Sequence, residues 1–197
     1  MTKEQFKKLW TDRYPNSIPL SHVFKNDFPN RWFRIHSLPE SKRYPDNEGE
    51  WGILLERQNE IITDVLGENA KIIVVTGGYH WEEYTVPDTL SEINSLKRLS
   101  LTSIDLVDLH EARPIEYDTG QFFRPFFCAE VWTRNHFDNI LRDIAQDNLR
   151  AFFMAIEKDV VIAPYDGGMD LVLKDSRTRD HYKAKYHDWL SDREDGM

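Results

Sequence analysis

The last fifty residues constrain the fold most. Phe152 to Ile156 is an apolar run, Lys158-Asp159 turns the chain, and Val160 to Ala163 runs back. Asp166-Gly167-Gly168 is a second turn signal, since glycine reaches positive φ without strain. Asp170 to Leu173 then reads as a third strand, and Ser176 starts a helix whose inner face carries Tyr182, Tyr186, Trp189 and Leu190. Three consecutive strands followed by a helix predict an antiparallel meander covered by that helix.

Upstream, residues 3–12 read as a short helix with Phe6, Leu9 and Trp10 on one face, ended by Tyr14-Pro15. Residues 15–30, rich in proline and asparagine, read as loop. RWFRIH at 31–36 alternates as a strand, with Phe33 and Ile35 pointing one way and Trp32, Arg34 and His36 the other. Asn47 with Glu50 is a capping-box pattern, and Trp51, Leu54, Leu55, Ile61, Ile62, Val65 and Leu66 continue it at helical spacing up to Gly67. Ile72 to Val75 is a buried strand ending at Thr76-Gly77-Gly78. A short helix is expected at 88–98 after Asp88, and strands at 99–109 and 122–133 on either side of a turn at Asp118-Thr119-Gly120. A helix opening at Asn135 and Asp138 buries Phe137, Ile140, Leu141, Ile144 and Ala145. The expected class is α+β: a mostly antiparallel sheet with helices packed on it, ending in a three-stranded meander plus C-terminal helix. No repeat, low-complexity tract or linker divides residues 1–197, so a single domain is expected.

The chain has 34 acidic and 25 basic residues in 197, a formal charge of −9. That balance argues against nucleic acid and anionic membrane as general partners. Cys128 is the lone cysteine, so neither an internal disulfide nor a thiolate zinc site is expected, and it reads as a small buried hydrophobe. No signal-peptide pattern or long apolar stretch is present, which predicts a cytoplasmic protein without a membrane span. No phosphate-cradling loop, dinucleotide fingerprint, nucleophile elbow or HExxH pair occurs. No metal site and no cofactor are therefore expected.

Five clusters could carry chemistry. Arg34 and His36 share a strand face about 6–7 Å apart, and with Lys42 and Arg43 they could hold a phosphate or carboxylate. The same residues fit a strand face whose charges pair with nearby carboxylates. Asp166 and Asp170 flank the glycine turn and could bind a cation, work as acid and base, or simply make turn chemistry. His80 with Glu82 or Glu83, beyond a buried strand, could be a base, part of a metal site, a protein-contact loop or a plain surface loop. Asp105, Asp108, His110 and Glu111 read as a solvated strand end. Asp180, His181, His187 and Asp188 read as the wet side of the last helix.

FRIHSLPESKRY at 33–44, APYDGGMDLVL at 163–173 and the closing HDWLSDREDGM together resemble a family of uncharacterised bacterial proteins known only as a domain of unknown function. The resemblance implies no activity or cofactor. It does imply that the Arg34–Arg43 and Asp166–Asp170 segments meet at one site. Two functional readings stand open, and neither settles whether the protein is an enzyme. One is a protein-binding module of acidic, immunity-protein type, steered by its charge and anchored by aromatic residues around Tyr79–Tyr84 and Tyr117–Phe123. The other is a small hydrolase or transferase acting on a phosphorylated or carboxylated substrate, with Arg34 and Arg43 holding the anion, His36 exchanging a proton, and Asp166 or Asp170 orienting it.

Overall fold

The computed structural model of the protein describes residues 1–81 and 89–191. Its centre is an antiparallel sheet of eight strands: β1 (Trp32–His36), β2 (Lys71–Trp81), β3 (Thr102–Ser103), β4 (Val107–Asp108), β5 (Gln121–Val131), β6 (Ala151–Ala155), β7 (Val160–Tyr165) and β8 (Gly168–Val172). The order is β1-β8-β7-β6-β2-β5-β3, with β4 also on β5. The expected class and the closing meander are what the structure has. Every residue of β6 and β8 is buried, because helices cover both faces, and strands buried on both faces read as continuous apolar runs.

On one face lie α3 (Glu48–Leu66), α5 (Asp138–Ala145) and α6 (Ser176–Lys185). They pack Leu54, Ile61, Leu66, Ile140 and Ile144 against Phe33, Ile35, Phe153, Ile162 and Leu171 of the sheet. On the other face, α1 (Lys3–Arg13) contributes Phe6 and Trp10 against Val75, Phe127, Phe152 and Val161. Phe6 stacks on Phe127 with ring centroids 4.6 Å apart.

Local chemistry fixes the element ends. The Thr2 hydroxyl and the Gln5 side chain cap α1 reciprocally. Asn47 accepts from the Glu50 N–H at 3.1 Å, but the Glu50 carboxylate binds the Asp46 N–H and Lys42 rather than returning to the cap. Gly67, at φ +88°, closes α3. Asp175 caps α6, which starts at Ser176 as expected. The hydroxyls of Tyr182 and Tyr186 both reach Asp64 near the end of α3. Trp189, tilted against Tyr186 with centroids 4.8 Å apart, lies under the Arg57 guanidinium. The last helix is thus moored to α3.

Five expectations need correcting. Residues 15–30 are not all loop: Ser21–Val23 forms a 3-10 turn that leads into α2 (Phe24–Asp27). Leu20, Val23 and Phe24 are buried there and Phe28 packs beside them, a helical spacing set among prolines and asparagines. Next, β2 does not stop at Gly77-Gly78. It runs on to Trp81, paired with β5, and a Cβ on Gly77 would lie 2.3 Å from Cζ of Phe123. Glycine is needed there to admit the Phe123 ring, not to turn the chain.

Third, 99–109 is no continuous strand. It makes only the two-residue strands β3 and β4, and then α4 (Leu109–Ala112), which Asp108 caps. Fourth, neither Gly167 nor Gly168 adopts a left-handed φ. Gly168 is required for another reason: a Cβ there would lie 2.0 Å from the Ile35 carbonyl oxygen of β1. The expected helix at 88–98 is a pair of 3-10 turns, Thr89–Glu92 and Asn94–Leu96, and Asp88 lies outside the described residues. Cys128 is buried among the α3/α5 core residues, and burial pushes its thiol up to about 12.

Candidate functional site

β2 overhangs β6 at one end of the sheet. Thr76 pairs with Ala151, the first residue of β6, and β2 continues for five more residues. Beside that gap the β7–β8 hairpin turns at Asp166-Gly167. The result is a cleft of about 710 Å³ between the Tyr79 end of β2, the hairpin, the end of β1 and the Ser21–Lys25 segment.

Arg34, His36, Arg43, Asp166 and Asp170 all line this one cleft. The register explains part of it. Arg34 is the cross-strand partner of Asp170, and His36 that of Gly168, so alternation along β1 carries Arg34 and His36 to the same face. Arg34 grips Asp170 with two parallel bonds, Nε to Oδ1 at 2.7 Å and Nη2 to Oδ2 at 3.0 Å, the fork geometry that makes arginine–carboxylate pairs strong. Its guanidinium also lies 4.5 Å from the Tyr165 ring centroid and 5.5 Å from that of Trp32. Arg43 donates through Nε to Oδ2 of Asp166 at 2.7 Å, with Nη2 in ion-pair contact 2.5 Å from the same oxygen, and the Tyr44 hydroxyl donates to that oxygen at 2.8 Å.

These bonds set the electrostatics. Burial raises the Asp170 carboxyl above its ordinary value, and the Arg34 guanidinium opposes that shift without cancelling it. Tyr165 is pushed up to about 12, chiefly by burial. The two arginines expected to hold an anion are therefore each bound to a carboxylate of the protein.

Three cleft groups escaped sequence reasoning: His22, Lys25 and Arg150. Lys25 lies 5.5 Å from the Trp32 ring centroid. Arg150 donates through Nη1 to the Tyr79 hydroxyl at 3.2 Å. His22 shares a short hydrogen bond with the Tyr117 hydroxyl. Burial, and then the charge of Arg150, lower the His22 imidazole from its ordinary value, so the ring favours its neutral, proton-accepting form. Burial raises the Tyr117 phenol. No motif marks Lys25 or Arg150. Lys25 follows the apolar Val23-Phe24 pair, and Arg150 precedes the apolar β6.

The other clusters resolve structurally. Asp105 pairs with Lys3 and Lys7, Asp108 caps α4, and His110 contacts the Tyr117 carbonyl at 2.8 Å. Asp180 pairs with Arg179 on the exposed side of α6, whereas His187 and its partner Asp188 lie beyond it, in the 3-10 turn His187–Trp189. His80 lies in β2, whereas Glu82 and Glu83 lie outside the described residues. Among the described residues no three His, Cys, Asp or Glu side chains are placed to hold a metal ion, and no helix is long and apolar enough to cross a membrane. A second cleft, at Lys71–Ile73 and Ala129–Val131, is of similar size at about 770 Å³ but has no comparable convergence of charged groups. Convergent polar groups favour the first as the site.

The model of one protein family, Domain of unknown function (DUF3885), matches residues 20–194. The chain belongs to this family. The DUF3885 match spans α2 to α6, and so takes in the residues named around the cleft, from His22 to Asp170. Neither the curated proteins nor the solved structures contain a match to the chain.

Proposed function

We propose that this DUF3885 protein binds a small anionic molecule, phosphorylated or carboxylated, in the cleft at the β2 overhang. The observation that carries the reading is Lys25 together with Arg150. Both line the cleft, and neither has a carboxylate within ion-pair distance among the described residues, whereas Arg34 and Arg43 are each matched to one. Two unneutralised cations in one concavity of a chain with net charge −9 form a local attraction for an anion against the field of the whole. His22 beside Arg150 supplies a proton acceptor to whatever is held there, the role first assigned to His36.

The protein-docking reading has less support. It relied on aromatic anchors, but Phe123 is buried in the core, and Tyr79 and Tyr117 are tied to Arg150 and His22 inside the cleft. Residues 82–84 of the proposed anchor loop lie outside the described residues.

Thermal unfolding with inorganic phosphate tests the proposal. A ligand at 100 times its Kd adds about 2.7 kcal/mol to the folded state, a rise in Tm of roughly 5–10 °C for a chain of this length. The rise is expected for wild type and lost in a Lys25→Ala/Arg150→Ala double variant. A flat response to phosphate and to a dicarboxylate, or an undiminished rise in the double variant, overturns the reading.

A further inference from the structure

We infer that the ligand is a phosphate monoester of a polyhydroxylated molecule, a sugar phosphate rather than a nucleoside polyphosphate; this rests on the anion-binding reading of the cleft. Charge balance comes first. Arg34 is neutralised by Asp170 and Arg43 by Asp166, so Lys25 and Arg150 together match one dianionic phosphate group. Asp147 also lines the cleft and has no ion-pair partner among the described residues. Further phosphates would meet that negative charge with no cation left to offset it.

The second observation is the asymmetry of Asp166, whose side chain is 8 % exposed. Oδ2 receives Arg43 and the Tyr44 hydroxyl. Oδ1 receives no hydrogen bond among the described residues. A carboxylate oxygen on a cleft wall with no protein donor, on a side chain otherwise largely buried, is an acceptor that a ligand hydroxyl can satisfy. The rings point the same way. Tyr165 carries the Arg34 guanidinium and Tyr79 that of Arg150, 5.6 Å from its centroid. A base stacking on those faces would compete with cations already there. Hydroxyls donating to Asp166 and Asp147, with one phosphate between Lys25 and Arg150, use every unmatched charge named.

Titration calorimetry on the full chain decides it, with inorganic phosphate, glucose, ATP and three phosphate monoesters (glucose 6-phosphate, ribose 5-phosphate and glycerol 3-phosphate) as probes. A hydroxyl bonded to a buried carboxylate corresponds to about tenfold or more in affinity. At least one of the three monoesters is expected to bind tenfold tighter than inorganic phosphate and tighter than ATP, with glucose alone not binding. Asp166→Asn should shrink that monoester-to-phosphate ratio, while the Arg43 charge it releases raises the affinity for both. The probe ratios in wild type decide the matter even where Asp166→Asn fails to fold. If all three monoesters bind no tighter than phosphate, the polyol inference fails and the anion site stands. If inorganic phosphate and every monoester fail to bind, both fail.

Discussion

Replacing Gly168 by alanine tests the sheet at the point that positions the cleft. The added Cβ would lie 2.0 Å from the Ile35 carbonyl oxygen and 3.1 Å from its carbonyl carbon. Ordinary contact begins near 3.4 Å, so β1 must retreat by about 1.4 Å or the hairpin must tilt. Both obstacles are backbone, which cannot swing aside as a side-chain tip can. Overpacking of this kind costs about 1–3 kcal/mol. The retreat also strains the His36–Gly168 end of the β1–β8 ladder and the Ser37 N–H bond to the Gly167 carbonyl, at about 1 kcal/mol for each bond lost. The expected total is about 3–5 kcal/mol, a large share of the ~5–15 kcal/mol that stabilises a domain.

Gly167→Ala is the control. Its Cβ would meet the Tyr165 ring edge at 3.1 Å and Arg43 Cγ at 3.6 Å, both side chains, and no left-handed φ is involved, so a loss under about 1 kcal/mol is expected. Urea unfolding followed by tryptophan fluorescence reads both variants. A Gly168→Ala loss below about 1 kcal/mol, or a Gly167→Ala loss as large as that of Gly168→Ala, refutes the register argument.

Two further expectations follow from the pairs around the sheet. Arg34→Ala should cost about 3–5 kcal/mol at pH 7, because it strands the buried Asp170 carboxylate. Folded Asp170 holds its proton more tightly than the unfolded chain does, so its contribution favours folding at low pH and is lost as pH rises through the raised folded value. Removing Arg34 raises that value further, so the penalty of the variant should shrink toward pH 4 in pH-resolved denaturation. A pH-independent penalty would contradict this. Trp189→Ala should cost about 2 kcal/mol rather than the ~3–5 kcal/mol of a fully buried tryptophan, since the ring is only partly buried against Tyr186 and Arg57. Denaturant titration showing no change would mean that the end of the last helix is not moored to α3.

The closing meander was readable because each strand is a short apolar run between turn residues, and strands covered on both faces need no other pattern. The start and stop of α3 were readable from Asn47 and Gly67, whose roles are local. What failed was whatever depends on distant chain. Gly77-Gly78 looks like a strand end until the Phe123 ring, a neighbour supplied by β5, is seen to occupy the space a Cβ would need. The helical spacing of Leu20, Val23, Phe24 and Phe28 was hidden by prolines and asparagines, and burial against Phe152 and Val172 overrides their local preference.

The same division governs the site. Arg34, His36, Asp166 and Asp170 stand out because they are charged or titratable residues close together in short strand and turn segments, and β1–β8 pairing brings those segments together. Yet the most conspicuous arginines, Arg34 and Arg43, spend their charge on Asp170 and Asp166. Each of those carboxylates is nearly buried, at 6 % and 8 % side-chain exposure, and a buried carboxylate without its cation is far costlier than a solvated one. The two pairs therefore hold β1 and the 41–44 segment against the β7–β8 hairpin. An attractive charge for a ligand has to come from cations that no carboxylate has claimed. Among the described residues of this cleft those are Lys25 and Arg150, one placed by a helical turn on the far face of the sheet and the other by the residue before β6. Neither has chemically distinctive neighbours in sequence, so only the overhang of β2 past β6 brings them to one cleft.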